Sequence, residues 1–130
     1  MSKQKVIAFD LDDVICYRPD GYEHLGADKY NYCVPYQDAV DLVNSLYEEN
    51  YIKIYTARGM SQFKGDVDLI HELLYNATID QLNFWGVKFN ELIMGKTHYD
   101  VLIDDKALNS HKINKSIINQ FLKEGMNGQS

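Results

Sequence analysis

The chain has no apolar segment long enough to span a bilayer and none of signal-peptide length behind Met1, which predicts a cytoplasmic protein with no membrane partner. It also has no Lys/Arg run, and its formal net charge is -6. That combination argues against an extended nucleic-acid surface, because neutralising phosphates takes clustered positive charge. Cysteine is scarce. Cys16 and Cys33 could pair, but in a reducing compartment they read as small buried side chains or idle thiols, and they do not make a metal site. Asn76-Ala77-Thr78 and Asn114-Lys115-Ser116 match the glycosylation acceptor pattern, which carries no weight without export. There is no internal repeat, low-complexity stretch or interdomain linker. One domain over residues 1–125 is expected, with 126–130 as a disordered tail.

The chain is organised around residues 5–16, Lys-Val-Ile-Ala-Phe-Asp-Leu-Asp-Asp-Val-Ile-Cys. The run from Val6 to Phe9 reads as a buried strand that delivers Asp10, Asp12 and Asp13 to its carboxyl end. Like charges so close repel unless a cation holds them, and magnesium is the natural candidate because it is hard and prefers carboxylate oxygens. A solvated acidic turn is the alternative for this cluster on its own.

Residues 17–34 show no sustained period and read as a long loop able to cover that strand end. Arg18, Tyr22, His24, Lys29, Tyr30 and Tyr32 are its candidate substrate contacts, or tyrosines packed flat on an ordinary surface loop. A helix is predicted from Pro35, with Ala39, Val43, Leu46 and Tyr47 on one face and Val40 and Leu42 flanking it. A second strand follows over residues 51–55 and ends at Thr56-Ala57-Arg58-Gly59. Strand, helix, strand implies parallel pairing, which brings Thr56 beside Asp10.

A helix from Asp66 is then expected, with a second short helix capped by Thr78 and Gln81 and stopped at Gly86. A strand centred on residues 92–94 leads into Gly95-Lys96, and a last strand over 99–103 ends at Asp104-Asp105. A final helix starts near Asn109, with Ile113, Ile117, Phe121 and Leu122 on one face and Ile118 bordering it. The acidic ends of the first and last strands converge on one crevice in a parallel sheet.

Asp10-Leu11-Asp12-Asp13-Val14, Thr56, Lys96 and Asp104-Asp105, in that order and at strand ends, resemble the four motifs of the haloacid dehalogenase (HAD) superfamily of phosphatases. The resemblance covers about the whole domain. Tyr55-Thr56-Ala57-Arg58-Gly59-Met60 and residues 99–109 are similar to small, capless members associated with capsular or surface polysaccharide synthesis. It implies an α/β fold, a three-layer Rossmann-like parallel sheet with helices on both faces and no cap domain. It also implies that Asp10 attacks phosphorus to form an aspartyl-phosphate, and that Asp12 serves as acid and base. Thr56 and Lys96 would hold the phosphoryl group, and Asp10, Asp12 through its carbonyl, and Asp104 would hold Mg2+. Asp105 is implied as a further ligand or a brace for Lys96. Arg58 is a second anion contact or a structural residue.

Many relatives carry Gly where this chain has Asp13, a change expected to alter the tight turn or to form a local bond without abolishing catalysis. An open crevice implies a bulky phosphorylated substrate, or closure by a second copy of the chain in a homo-oligomer. Sugar phosphates related to surface-polysaccharide precursors are the first expectation, and nucleotides or nucleic-acid ends the alternative. A receiver-like module or a catalytically silent phosphate-binding module is the reading from another class; a receiver needs its phosphate-accepting Asp at a middle strand, where this chain has Thr56.

Overall fold

The computed structural model describes residues 4–126. The apolar run forms strand β1 (Lys5–Asp10). Beyond the acidic turn come β2 (Cys16–Tyr17), two short 3-10 turns over Glu23–Tyr32 that meet at Gly26, and β3 (Val34–Pro35). β2 and β3 pair antiparallel, with Cys16 opposite Pro35 and Tyr17 opposite Val34. The expected loop is therefore an excursion tied shut at its base. Its local order comes from aromatic contacts that have no sequence period: Tyr22 stacks on Tyr32 at 4.3 Å, and Tyr17 packs on Tyr36 at 4.9 Å.

Helix α1 (Gln37–Tyr47) starts after Pro35, which belongs to β3 instead. Its buried residues are Val40, Val43 and Leu46, so the inward face is turned from the expected one; the branched Val40 buries more apolar area there than Ala39 would. Strand β4 (Asn50–Tyr55) pairs parallel with β1, placing Tyr55 opposite Asp10. Helix α2 (Val67–Phe84) follows, and β5 (Glu91–Ile93) pairs parallel with the other side of β4, giving the order β1-β4-β5.

α2 is one helix rather than the expected two. Thr78 is 2% exposed and lies on the same buried stripe as Ile70, Leu74 and Leu82, so it packs in the core instead of capping a new helix. The cap of α2 is Asp66, which accepts a hydrogen bond from the Leu69 amide at 3.2 Å.

The expected strand over 99–103 does not form among the described residues. The Lys96 amide donates to the Thr56 carbonyl at 3.0 Å, the Tyr99 ring lies 4.9 Å from Lys96 Nζ, and Tyr99 and Leu102 line a cleft with β1. Val101 and Ile103 are left 73% and 93% exposed, and the outer edge of β1 stays open, with Val6 57% exposed. The predicted burial of Val6 through Phe9 therefore holds only for Phe9 and in part for Ile7. Between this edge and Ile113, Ile118 and Leu122 lies a cleft of about 710 Å³.

A 3-10 turn at Ser110–Lys112 precedes helix α3 (Lys115–Met126), so the last helix begins later than Asn109. Ile118, expected at the border, is its buried residue, and Ile113, Phe121 and Leu122 of the expected face are partly buried, whereas Ile117 is 42% exposed. Met126 ends α3, and the expected tail over 127–130 lies outside the described residues. The described chain is thus α/β around a three-stranded parallel sheet, and none of its helices is long and apolar enough to cross a membrane.

Candidate active site

Parallel pairing directs the carboxyl ends of β1, β4 and β5 to one edge, where Asp10, Thr56 and Lys96 leave their strands. Two backbone bonds fix that edge: Leu11 N–H to the Tyr55 carbonyl at 3.1 Å and Thr56 N–H to the Ile93 carbonyl at 3.0 Å. Lys96 Nζ donates to Asp10 Oδ2 at 2.8 Å, and the Leu11 amide donates to Asp10 Oδ1 at 2.9 Å. The Asp10 side chain keeps 36% of its surface exposed, whereas that of Lys96 keeps 13%. The carboxylate thus faces the cleft with its cation beneath it.

Burial opposes the charge on Lys96, but hydrogen bonds to Asp10 and Tyr99 outweigh it and hold its pKa above the usual lysine value. A group raised on folding contributes stability that is complete below its unfolded pKa and lost as pH climbs through the folded one. The stability difference between wild type and Lys96→Met should therefore stay constant from neutral pH to about pH 10 and shrink above it, as measured by urea unfolding at each pH. A difference that shrank already near neutrality would mean that Lys96 is not charged in this pair.

The turn after β1 brings Asp12 back over Thr56. Asp13 supplies the bend with φ 69°, and its amide donates to the Cys16 carbonyl. Asp tolerates this left-handed backbone better than most residues but less well than Gly. The substitution Asp13→Gly should therefore raise stability by about 0.5–1 kcal/mol in thermal unfolding and leave the site intact. A loss of stability would mean that the Asp13 side chain holds the turn.

Asp12 is gripped from behind. Arg58, 3% exposed, donates from Nε at 3.1–3.2 Å and from Nη2 at 3.0 Å to its carboxylate, and Thr56 Oγ1 donates to Oδ2 at 3.3 Å. Burial disfavours the guanidinium charge, yet the Asp12 carboxylate more than offsets that and keeps the pKa of Arg58 raised. Arg58 Nη2 also lies 3.6 Å from the sulfurs of both Cys16 and Cys33. Contact with Cys33, burial and the Asp12 charge push the Cys16 thiol up, so it stays protonated.

No protein-family model and no curated protein matches the chain. The crystal structure of an MCSG target from Vibrio cholerae is similar to it, with a TM-score of 0.77 and 22% identity over 94% of this chain and 99% of that one. The two share the α/β fold. At that identity the likeness extends to the fold alone.

The structure brings the sequence-predicted residues together in two groups, Asp10 with Lys96 and Asp12 with Thr56 and Arg58. Arg58 is buried under Asp12, and Thr56 is fully buried with its hydroxyl directed to Asp12. Arg18 is half-buried, and its Nε has no hydrogen-bond partner among the described residues. Asp104 lines the same cleft as Asp10 and Lys96, but its Oδ1 accepts the Lys106 amide at 2.7 Å in an exposed turn, and Asp105 is exposed. Residues unforeseen as parts of the site are Gln81, Cys16 and Cys33, all within the surroundings of Arg58, while Tyr30, expected as a substrate contact, lays its ring against that guanidinium instead. The one sequence signal for Gln81 is a polar residue beside the apolar stripe of α2.

Among the described residues, the metal-ligating side chains whose donor atoms lie within 4.8 Å of one another are Asp12, Cys16 and Cys33. That cluster already surrounds a cation, Arg58 Nη2, at 3.0 Å from Asp12 and 3.6 Å from each sulfur, so it has no place for a metal. Asp10 and Asp104 have the donor chemistry that magnesium takes. They are hard oxygen donors on one cleft, and the Asp12 carbonyl accepts no hydrogen bond among the described residues.

Proposed function

We propose that the chain is a magnesium-dependent phosphatase of the HAD type, working through an aspartyl-phosphate on Asp10. The single observation that carries this reading is Asp10: a cleft-facing carboxylate at a strand end, with Lys96 Nζ at 2.8 Å to attract a phosphoryl group and Asp12 two residues on. A carboxylate nucleophile divides hydrolysis into two easier displacements, provided that its charge is screened from the incoming phosphate.

In the first step an Asp10 oxygen bonds to phosphorus while the bond from phosphorus to the leaving oxygen breaks, and Asp12 supplies the proton that the leaving oxygen takes. In the second, water attacks phosphorus, Asp12 takes the water proton, and the bond between phosphorus and Asp10 breaks to restore the carboxylate. Lys96 holds the transferring group as a compact point charge. Thr56, expected as a phosphoryl contact, is fully buried with its hydroxyl on Asp12, so it steadies that carboxylate and leaves the phosphoryl oxygens to Lys96 and backbone amides. Asp10, the Asp12 carbonyl and Asp104 would hold the magnesium, with Asp105 a further ligand or a brace; bound there, the ion neutralises charge on the phosphoryl oxygens.

The short excursion after β1 leaves no room for a folded cap, which favours an open site and a bulky sugar phosphate related to surface-polysaccharide precursors. Arg18, whose Nε has no hydrogen-bond partner among the described residues, is the candidate before Glu23 for a further phosphate or sugar contact. The test is phosphate release from a panel of sugar phosphates, nucleotides and phosphorylated oligonucleotides, with and without magnesium. Magnesium-dependent release, fastest on sugar phosphates and removed by a chelator, is the expected result. Release from nucleotides alone would move the substrate to the alternative class, and no release from any of them would overturn the reading.

A further inference from the structure

Arg58 uses all three guanidinium nitrogens. Nε and Nη2 hold Asp12, and Nη1 donates to Gln81 Oε1 at 2.7 Å. The Gln81 amide then donates from Nε2 to the Tyr30 carbonyl at 2.8 Å. Tyr30 closes the circuit: its ring lies 5.0 Å from the Arg58 guanidinium carbon, and its hydroxyl accepts the Gly59 amide at 3.0 Å. One chain of contacts therefore runs from Asp12 in the turn after β1, through the turn after β4, to α2 and the excursion between β2 and β3.

The chemistry of each link restricts what it can be doing. A 3%-exposed guanidinium with every nitrogen engaged cannot also bind a substrate anion without giving up Asp12 or Gln81. Its planar fork has a fixed donor geometry, so fixing Nη1 fixes the direction of Nε and Nη2 as well. Gln81 suits this purpose because one amide offers both an acceptor and a donor. It takes the arginine on one side and the excursion's backbone on the other. Gly59 suits the same crossing: its φ of 81° favours glycine, and an added Cβ would stand 2.7 Å from Leu74 Cδ1, so the backbone that reaches Tyr30 also packs on the core.

We propose that Gln81 and Tyr30 are positioning residues that aim Arg58, and through it the Asp12 carboxylate, and that they make the excursion Glu23–Tyr32 part of the acid/base apparatus. The proposal rests on the phosphatase reading for its kinetic consequence and on geometry alone for its spectroscopic one. Loss of the Gln81 contact frees Arg58 to tilt, and Asp12 tilts with it; a misaimed proton donor lowers turnover without weakening the grip of Lys96 on phosphate.

The experiment compares wild type with Gln81→Met, which keeps the length of the side chain but not its hydrogen bonds, and with Gln81→Glu, which keeps the acceptor for Arg58. Gln81→Met should lower kcat by about 10- to 100-fold with KM changed less than about threefold, and Gln81→Glu, which keeps the acceptor for Arg58 but loses the donor to the Tyr30 carbonyl, should recover part of kcat. Exchange of the Arg58 Nε proton with water, followed by NMR, should be slow in wild type and in Gln81→Glu and at least about tenfold faster in Gln81→Met. Wild-type kcat in Gln81→Met would overturn the proposal. So would unchanged Arg58 exchange in that variant, or equal loss of kcat and fold in both variants. If the wild type hydrolyses none of the phosphates, the phosphatase reading fails while the Arg58 exchange comparison still decides the positioning role.

Discussion

Asp10→Asn should bring magnesium-dependent phosphate release at least about a thousandfold below wild type. The amide nearly matches the carboxylate in shape, and it can still accept the Leu11 amide that Asp10 Oδ1 accepts at 2.9 Å. What it lacks is a nucleophilic oxygen and the charge that faces Lys96 Nζ at 2.8 Å. The variant should therefore keep its far-UV circular dichroism and its unfolding cooperativity while losing turnover. Activity within tenfold of wild type would assign the attack on phosphorus to another group, such as a metal-held water. Loss of fold together with activity would mean that the Asp10–Lys96 pair is a structural brace.

The second large effect is on stability. Arg58→Met should destabilise the fold by about 2–3 kcal/mol, less than breaking a fully buried pair costs because a third of the Asp12 side chain meets solvent. Methionine fills most of the volume but leaves Gln81 Oε1 without its donor and Asp12 without three of its hydrogen bonds. Urea unfolding should show the midpoint falling by about 2 M if the slope is near 1–1.5 kcal/mol per M. Arg18→Met is the matched control, since Arg18 Nε has no partner among the described residues; it should stay within about 0.5 kcal/mol of wild type. Equal destabilisation by the two substitutions would contradict the central place given to Arg58.

Local composition was enough to read β1, β4 and β5 and the parallel pairing of the first two, because apolar runs ending in polar residues and joined by helical segments leave few other arrangements; the place of β5 beside β4 was not readable from it. The family resemblance placed Lys96 at the same site as Asp10, and the two meet across 86 positions at the carboxyl edge of the parallel sheet. Three other features were not legible, each for its own reason. The order of residues 17–34 comes from Tyr22 on Tyr32 and Tyr17 on Tyr36, contacts with no repeat in the sequence. The continuity of α2 was hidden by Thr78, whose pattern with Gln81 matches a cap although its side chain packs in the core. The run over 99–103 has strand-like composition, but it pairs with no strand among the described residues, and Tyr99 and Leu102 line the cleft beside β1 instead.

The site divides in the same way. Asp10, Asp12, Thr56 and Lys96 stand out by type and order. The role of Arg58 depends on burial that no spacing reveals. A charged residue directly after a strand usually meets solvent, and here it lies beneath Asp12 with Cys16 and Cys33 on its far side.

The most direct test of the account is to trap the intermediate. The protein is mixed with magnesium and the best phosphate ester of the panel, quenched in acid during turnover, and reduced with borohydride, which converts an aspartyl-phosphate to homoserine. Peptide mass spectrometry should then find homoserine at position 10 in the wild type and none in Asp10→Asn. Steady turnover with residue 10 still aspartate, or with the reduced residue elsewhere in the chain, would contradict the assignment of Asp10 as the nucleophile.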